Sequence, residues 1–199
     1  MTSALRGHVE RGDLPGVVAL VAREDTVHVD VLGTQGLTPS GPPMRRDSLF
    51  RLASMAKPIT AVATLMLVED GKLPLDGAVD PWLPELADRR VLRTPGGPLD
   101  DPVPAKRAIT VRDLLTLRWG LGAVMAPPGT HPIQRAMSEA RVAPGFHALT
   151  DPPDEFMRRL GTLPLMHQPG ERWSYHTGYE VLGVLVAPVL RLTVKDPRR

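Results

Sequence analysis

The chain has 199 residues, of which 42% are hydrophobic and 23% charged, and its formal net charge is +2. This is the composition of a globular protein with enough apolar material for a core, not of a disordered or fibrous one. Acids and bases nearly balance and no basic run occurs, which argues against nucleic-acid binding. Cysteine and asparagine are absent, which excludes disulfides, thiolate metal sites, a cysteine nucleophile and N-glycosylation.

The sequence shows no targeting or membrane-spanning segment. Its first 16 residues carry several charges and lack the apolar stretch of a signal peptide. The longest apolar stretches, residues 61–68 and 181–190, are much shorter than the ~20 residues that cross a bilayer. We therefore expect a cytoplasmic protein that does not contact a membrane. The six histidines are scattered without metal-ligand spacing, which favours surface or loop positions over a metal site.

The first predicted elements are a short polar helix and a β-hairpin. The helix falls within residues 2–12. Residues 17–23 and 27–32 are two β-branched runs, and the turn between them at 24–26 makes them a hairpin. A loop rich in glycine and proline follows.

The strongest predicted element is an amphipathic helix within residues 49–70. Its apolar residues recur on one face, at Ile59, Val62, Ala63, Met66 and Leu67. Gly71 stands where a left-handed C-terminal residue belongs. Because Pro58 is tolerated only in the first turn, the helix must begin within a few residues of Ser54.

The rest of the chain predicts short helices separated by long loops. Residues 92–108 are rich in proline and glycine and are predicted to be irregular. Residues 110–113 (TVRD) fit a capping box that starts a short helix ending near Gly120. A further helix is predicted to have Asp151 as its N-cap and to stop at Gly161. The last predicted helix covers residues 179–187, because Pro188 is poorly placed for it to continue.

The main chemical candidate is the pair Ser54 and Lys57. Residues three apart on a helix share one face, so the lysine amine can approach the serine hydroxyl. A serine hydroxyl is a weak nucleophile until a base removes its proton, and a lysine can be that base. The pattern S-x-x-K is expected about 0.1 times by chance in a chain with six serines and four lysines. The alternative is a surface lysine one turn after a serine that starts a helix.

A second candidate is the segment Tyr175-His176-Thr177, which precedes the last helix. A tyrosine can relay a proton when nearby cations lower its pKa. The alternative interpretation is a packing tyrosine, which is the commoner role of this amphipathic side chain.

Together these segments resemble a known family. Residues 54–57 (SMAK), 69–73 (EDGKL), 109–115 (ITVRDLL) and 169–175 (PGERWSY) are similar to the serine β-lactamases and penicillin-binding proteins, in the branch of class C β-lactamases and family VIII esterases. The resemblance runs from about residue 5 to residue 187. It implies an α+β fold of the β-lactamase/DD-peptidase type, with an antiparallel sheet flanked by helices and a mostly helical subdomain.

The resemblance also implies roles for individual residues. Ser54 would be the acylating nucleophile, Lys57 its base partner and Tyr175 a second proton-transfer residue. No metal or organic cofactor would be needed. His176, Thr177 and Trp119 are candidates for contacting a small acyl substrate: an ester, a β-lactam or a D-amino-acid peptide. For Trp119 the alternative is core packing. Because no secretion signal is present, an esterase is favoured over a β-lactamase.

The chain departs from the family pattern in two respects. Thr177 stands where Asn or Ser is usual, and nothing after it fits the third motif that the family carries on a later strand. We therefore expect residues 1–199 to be one β-lactamase-related domain truncated at its C-terminus, with a hairpin at 17–33 and a helical region at 49–187. Two alternatives to an enzyme remain: a non-catalytic fragment or binding module, with a partner chain supplying the missing strands, and a non-functional remnant.

Overall fold

The computed structural model describes residues 2–38, 40–145 and 151–194. These divide into two compact units, with the boundary between Leu52 and Ala53. Within the described ranges, no helix is long and apolar enough to cross a membrane.

The first unit contains helix α1 (Thr2–Glu10) and a two-stranded antiparallel sheet of β1 (Gly16–Arg23) and β2 (Thr26–Gly33). The expected helix and hairpin are thus present. Gly16 pairs with Gly33 and Arg23 with Thr26, which leaves a two-residue turn. Glu24 in that turn has a φ of 51°, the left-handed conformation found in tight hairpin turns.

The second unit begins with a 3₁₀ turn, Ala53–Met55, that leads directly into α2 (Ala56–Glu69). Pro58 lies in the first turn of α2, as predicted, and Gly71 has a φ of 69°. The predicted apolar face is only partly buried. Leu67 is in the core, whereas Ile59, Val62 and Met66 are exposed.

The structure corrects the prediction for residues 92–108. Within and just before this stretch, β3 (Arg90–Leu92) and β4 (Pro102–Pro104) form a short antiparallel ladder in which Val91 faces Val103. Proline cannot donate to a ladder, yet it is tolerated at the ends of a short edge strand, where Val103 can still pair.

A 3₁₀ turn (Pro84–Leu86) and four further α-helices complete the described part of the second unit. The α-helices are α3 (Val111–Leu115), α4 (Pro132–Glu139), α5 (Pro153–Gly161) and α6 (Gly178–Val194). The prediction of a helix extending to near Gly120 is wrong, because α3 ends at Leu115 and Leu117 turns into the left-handed region with a φ of 56°. The N-cap of α5 is Pro152, one residue after the predicted Asp151.

The prediction that the last helix ends at Pro188 is also wrong. Helix α6 continues to Val194 with Pro188 inside it. An internal proline costs about 3 kcal/mol in helix stability. Burial of the apolar face of α6 offsets this cost, since Leu182, Leu185 and Val189 are all at most 4% exposed.

The core of the second unit joins α6 to the other helices. Helix α6 packs against both α2 and α3. The largest fully buried side chains include Trp119, Leu114, Leu121, Met157, Leu160 and Leu182. This packing fixes the start of α6 relative to the start of α2, where the candidate residues lie.

The capping box of α3 contains a buried carboxylate, Asp113, that accepts several hydrogen bonds. As predicted, Thr110 accepts a hydrogen bond from the Asp113 N–H, and the Asp113 carboxylate accepts one from the Thr110 N–H. Arg107 donates two more to that carboxylate. Burial acts to raise the pKa of Asp113, but these hydrogen bonds outweigh it and hold the pKa below its ordinary value.

We expect Asp113→Asn to lower the free energy of unfolding at about pH 7 by about 2 kcal/mol. A carboxyl with a lowered folded-state pKa adds stability above its unfolded-state pKa and loses that contribution as the pH falls through the folded value. The difference from wild type should therefore shrink below about pH 4 in urea unfolding. Asp76→Asn, in an exposed pair with Arg112, is the control and should have little effect. If the difference in free energy of unfolding between Asp113→Asn and wild type did not change with pH, this prediction would be contradicted.

Candidate active site

Ser54 lies at the start of the helix that also carries Lys57. The preceding residue, Ala53, has a φ of 46°, a left-handed conformation that is costly for any residue other than glycine. Ser54 itself is exposed. The first backbone N–H groups of a helix lack acceptors within the helix, so this end of α2 carries partial positive charge.

The structure brings together the three residues predicted to be catalytic. Lys57 Nζ is 3.3 Å from Ser54 Oγ and donates to it. The Tyr175 hydroxyl is 2.6 Å from the same oxygen. Lys57 Nζ also lies 4.8 Å from the centre of the Tyr175 ring, within range of a cation–π interaction. One serine oxygen therefore contacts two groups that could accept its proton.

The environment of Tyr175 favours its ionisation. The hydrogen bond with Ser54 is the main cause that lowers the pKa of Tyr175, and the positive charge of Lys57 adds to it. Burial and the negative charge of Glu180 act in the opposite direction, but they do not outweigh the lowering. A tyrosine with a lowered pKa can exchange a proton with Ser54 near neutral pH more readily than an ordinary phenol can.

Backbone contacts hold Tyr175 in place. Ala123 N–H donates to the Tyr175 carbonyl at 2.7 Å, and Ser174 N–H donates to the Leu117 carbonyl at 2.8 Å. Gly122 passes so close that a Cβ there would lie 2.6 Å from the Tyr175 carbonyl oxygen. Only glycine fits at this position without moving the tyrosine segment.

We expect Gly122→Ala to lower any activity that depends on Ser54 by between about 10- and 100-fold, because it displaces Tyr175 by a fraction of an ångström or more. Gly183→Ala is the matched control, since a Cβ at this position in α6 meets nothing within 4 Å. Acylation rates of the two variants measure the difference. Equal rates would contradict the positioning role of Gly122.

The three residues predicted to contact substrate differ from the catalytic candidates in their burial or contacts. Thr177 is buried, and its hydroxyl donates to the Leu121 carbonyl. Trp119 has no exposed surface and belongs to the core, in agreement with its alternative interpretation. Neither side chain offers a surface to a substrate in this structure. His176 is partly exposed and contacts Glu180, with Nδ1 2.7 Å from Oε1.

Sequence reasoning missed two residues beside Tyr175. Trp173 is 55% exposed, and its ring is stacked 5.8 Å from that of Tyr175. Its position two residues before Tyr175 in an extended stretch was the available signal, because alternate residues share a face. Glu180 lies in α6 four residues after His176, a spacing that brings two side chains together on a helix. In the described part of the chain, histidine, aspartate and glutamate form no group of three that could hold a metal.

The chain is similar to several known proteins. The chain superimposes on the solved structure of EstCE1, "a hydrolase with promiscuous acyltransferase activity", with a TM-score of 0.75 and 26% identity over 98% of this chain and 49% of that one. It is 40% identical to a protein of Mycobacterium tuberculosis over 94% of this chain and 44% of the relative. It is 38% identical to esterase EstB of Burkholderia gladioli, over 87% and 40% respectively.

These likenesses define the class: an α+β fold of the β-lactamase and penicillin-binding-protein type, present in part. The Beta-lactamase family matches residues 1–193, and the chain belongs to that family. Both compact units therefore fall within one family domain. The chain spans about half the length of the relatives it matches or less.

Proposed function

We propose that this protein is a serine hydrolase that forms an acyl-enzyme on Ser54, with esters as the favoured substrates. The observation that carries the proposal is the position of Ser54 Oγ, 3.3 Å from Lys57 Nζ and 2.6 Å from the Tyr175 hydroxyl. A surface lysine one turn after a serine does not account for the tyrosine, which is 121 residues away in sequence.

The proposed reaction has two stages. Ser54 Oγ attacks the acyl carbon of the ester and gives its proton to the neighbouring base, and the departing alcohol then takes up a proton. Water attacks the acyl-enzyme and releases the acid and Ser54. Tyr175 is the nearer acceptor and has the lowered pKa, which favours it as the immediate base. In this arrangement the charge of Lys57 stabilises the phenolate.

The start of α2 would also stabilise the tetrahedral intermediate. Attack by Ser54 places negative charge on the former carbonyl oxygen, beside the free N–H groups of the first helical turn. Losing one such donor costs about 10²–10³ in rate in well-studied enzymes. We therefore expect the first-turn N–H groups of α2 to contribute to the reaction alongside the side chains.

The substrate class is proposed by similarity. Besides the Burkholderia esterase, the relatives include a lovastatin esterase of Penicillium rubens, 32% identical over 98% of this chain and 48% of that protein. Trp173, exposed beside Tyr175, would give the acyl or alcohol group of an ester an apolar surface. β-Lactams and D-amino-acid peptides are the alternative substrates.

Hydrolysis of p-nitrophenyl acetate, butyrate and octanoate tests the proposal. We expect release of p-nitrophenol above the buffer rate by the wild-type chain and background release by Ser54→Ala. Ser138→Ala, which alters an exposed serine in α4, is the matched control and should behave like wild type. Equal rates for wild type and Ser54→Ala would contradict the proposal.

We also propose a partner for the chain, because helix α2 presents an uncovered apolar face. Met55, Ile59, Val62 and Met66 follow helical spacing along one side and are between 57% and 68% exposed. We call these four residues the open face of α2. Apolar patches of this kind mark surfaces where other polypeptide packs. The matched relatives have more than half of their length outside the aligned part, and a segment equivalent to that part is the proposed occupant.

Co-expression with the unmatched part of the Burkholderia gladioli esterase tests this pairing. We expect a 1:1 complex in size-exclusion chromatography with light scattering, and its loss in Ile59→Glu. Met125→Glu, at an exposed apolar position outside the open face, is the control and should still pair. Absence of the complex, or a homodimer that Ile59→Glu disrupts, would overturn this choice of occupant.

A further inference from the structure

Two acid–base side chains outside the proposed mechanism, His176 and Glu180, contact each other beside Tyr175. His176 Nδ1 is 2.7 Å from Glu180 Oε1, and the two side chains are 23% and 24% exposed. Two buried polar atoms of this pair, Glu180 Oε2 and His176 Nδ1, have no hydrogen-bond partner among the described residues, so the Nδ1–Oε1 contact is close without the geometry of a hydrogen bond. A carboxylate with an unpaired buried oxygen is costly, so its retention beside the site calls for an explanation.

The backbone of His176 is held in an unusual conformation that maintains this arrangement. Its φ is 94°, a left-handed value that side chains other than glycine rarely adopt. The imidazole ring meets the Tyr175 ring edge-on, with centroids 5.6 Å apart and an angle of 84° between the planes. His176 therefore contacts both Tyr175 and Glu180. Such strained residues cluster at functional sites.

Few of the described charged side chains interact with Glu180 and Tyr175. Glu180 interacts with the charges of His176, from the turn before α6, and of Lys57, from α2. Tyr175 interacts with Ser54, Lys57 and Glu180. Burial raises the pKa of Glu180, and the charges of His176 and Lys57 oppose that rise without cancelling it. The charge of Glu180 in turn opposes ionisation of Tyr175.

We propose that Glu180 and His176 form a positioning pair in which the Glu180 carboxylate sets how readily Tyr175 gives up its proton and His176 holds that carboxylate in place. The carboxylate makes a phenolate at Tyr175 less favourable, and His176 contacts both side chains. The pair acts through Tyr175 and does not touch the substrate. This inference rests on the proposed function for the role of Tyr175 as proton acceptor, but the charge effect itself can be measured without a substrate.

The test is a titration of tyrosinate absorbance in a Tyr179→Phe background. The chain has two tyrosines, so this change leaves Tyr175 as the only one. We expect Glu180→Gln to lower the midpoint of the Tyr175 titration by about one pH unit, because it removes a nearby negative charge. We expect His176→Asn to lower the midpoint by less than Glu180→Gln does, because it releases the carboxylate without removing its charge; asparagine also tolerates the left-handed backbone.

Three controls make the outcome decisive. Glu139→Gln removes the same charge from an exposed position in α4 and should leave the midpoint unchanged. Glu180→Asp keeps the charge and should restore most of the wild-type midpoint. Circular dichroism confirms that each variant is folded. No shift in Glu180→Gln, or a shift of His176→Asn to higher pH, would overturn the inference.

The same variants separate this inference from the proposed function. If the midpoints shift as expected but Ser54 is not acylated, the proposed function fails and the charge coupling stands. If Ser54 is acylated but the midpoints do not move, the reverse holds. Where both hold, the acid limb of the acylation rate should move to lower pH in Glu180→Gln, and by a smaller amount in the same direction in His176→Asn.

Discussion

Replacing Tyr175 with phenylalanine should lower the rate of Ser54 acylation by about 10³-fold and leave the fold intact. The reason is geometric. The change removes only the hydroxyl that lies 2.6 Å from Ser54 Oγ. The ring stays, and with it the stacking on Trp173 and the position of Lys57 over the ring.

Stopped-flow acylation by a p-nitrophenyl ester measures this effect. Tyr179→Phe is the matched control, because it removes the other tyrosine hydroxyl in the chain, which donates to the Leu115 carbonyl away from Ser54. It should lower stability slightly and change the acylation rate little. A Tyr175→Phe variant that acylates as fast as Tyr179→Phe would show that the Tyr175 hydroxyl takes no part in proton transfer.

Replacing Lys57 with methionine should have an effect of similar size, about 10³-fold on acylation. Lys57 is the cation over the Tyr175 ring and a second contact of Ser54 Oγ, so its loss removes both a possible base and the charge that favours the phenolate. Methionine preserves most of the side-chain volume. Lys72→Met is the control, because Lys72 pairs with Asp70 at the end of α2, far along the helix from Ser54.

The double variant decides whether these two residues act as a unit. Groups that act in one proton-transfer step give strongly non-additive losses. We therefore expect Lys57→Met combined with Tyr175→Phe to be little slower than either single variant. Losses that multiply would mean that the two side chains contribute to separate steps.

Much of the local structure around the site follows from the sequence. Pro58 and Gly71 bracket α2 and so place Ser54 at its start, because proline and glycine act through the backbone alone. The capping box at Thr110 and Asp113 is equally local. The resemblance to the family, not geometry, supplied the link between Ser54 and Tyr175.

The predictions that failed depend on tertiary contacts. Pro188 would end an isolated helix, but core burial of Val189 and its neighbours carries α6 past it. The Val91–Val103 pair lies among prolines that suggested a loop, and β3 is also bridged by Leu165, which is distant in sequence. Thr177 and Trp119 are not among these: their contact with a substrate stays a prediction, and both side chains are buried in this structure, Trp119 in agreement with its alternative of core packing.

The most direct test of the account is the intact mass of the purified chain after exposure to a fluorophosphonate ester. Attack by an activated serine oxygen on phosphorus expels fluoride and leaves one covalent label. The account predicts a single added label on the wild-type chain and none on Ser54→Ala. An unlabelled wild-type chain that circular dichroism shows to be folded, or a label that persists in Ser54→Ala, would contradict the claim that Ser54 is an activated nucleophile.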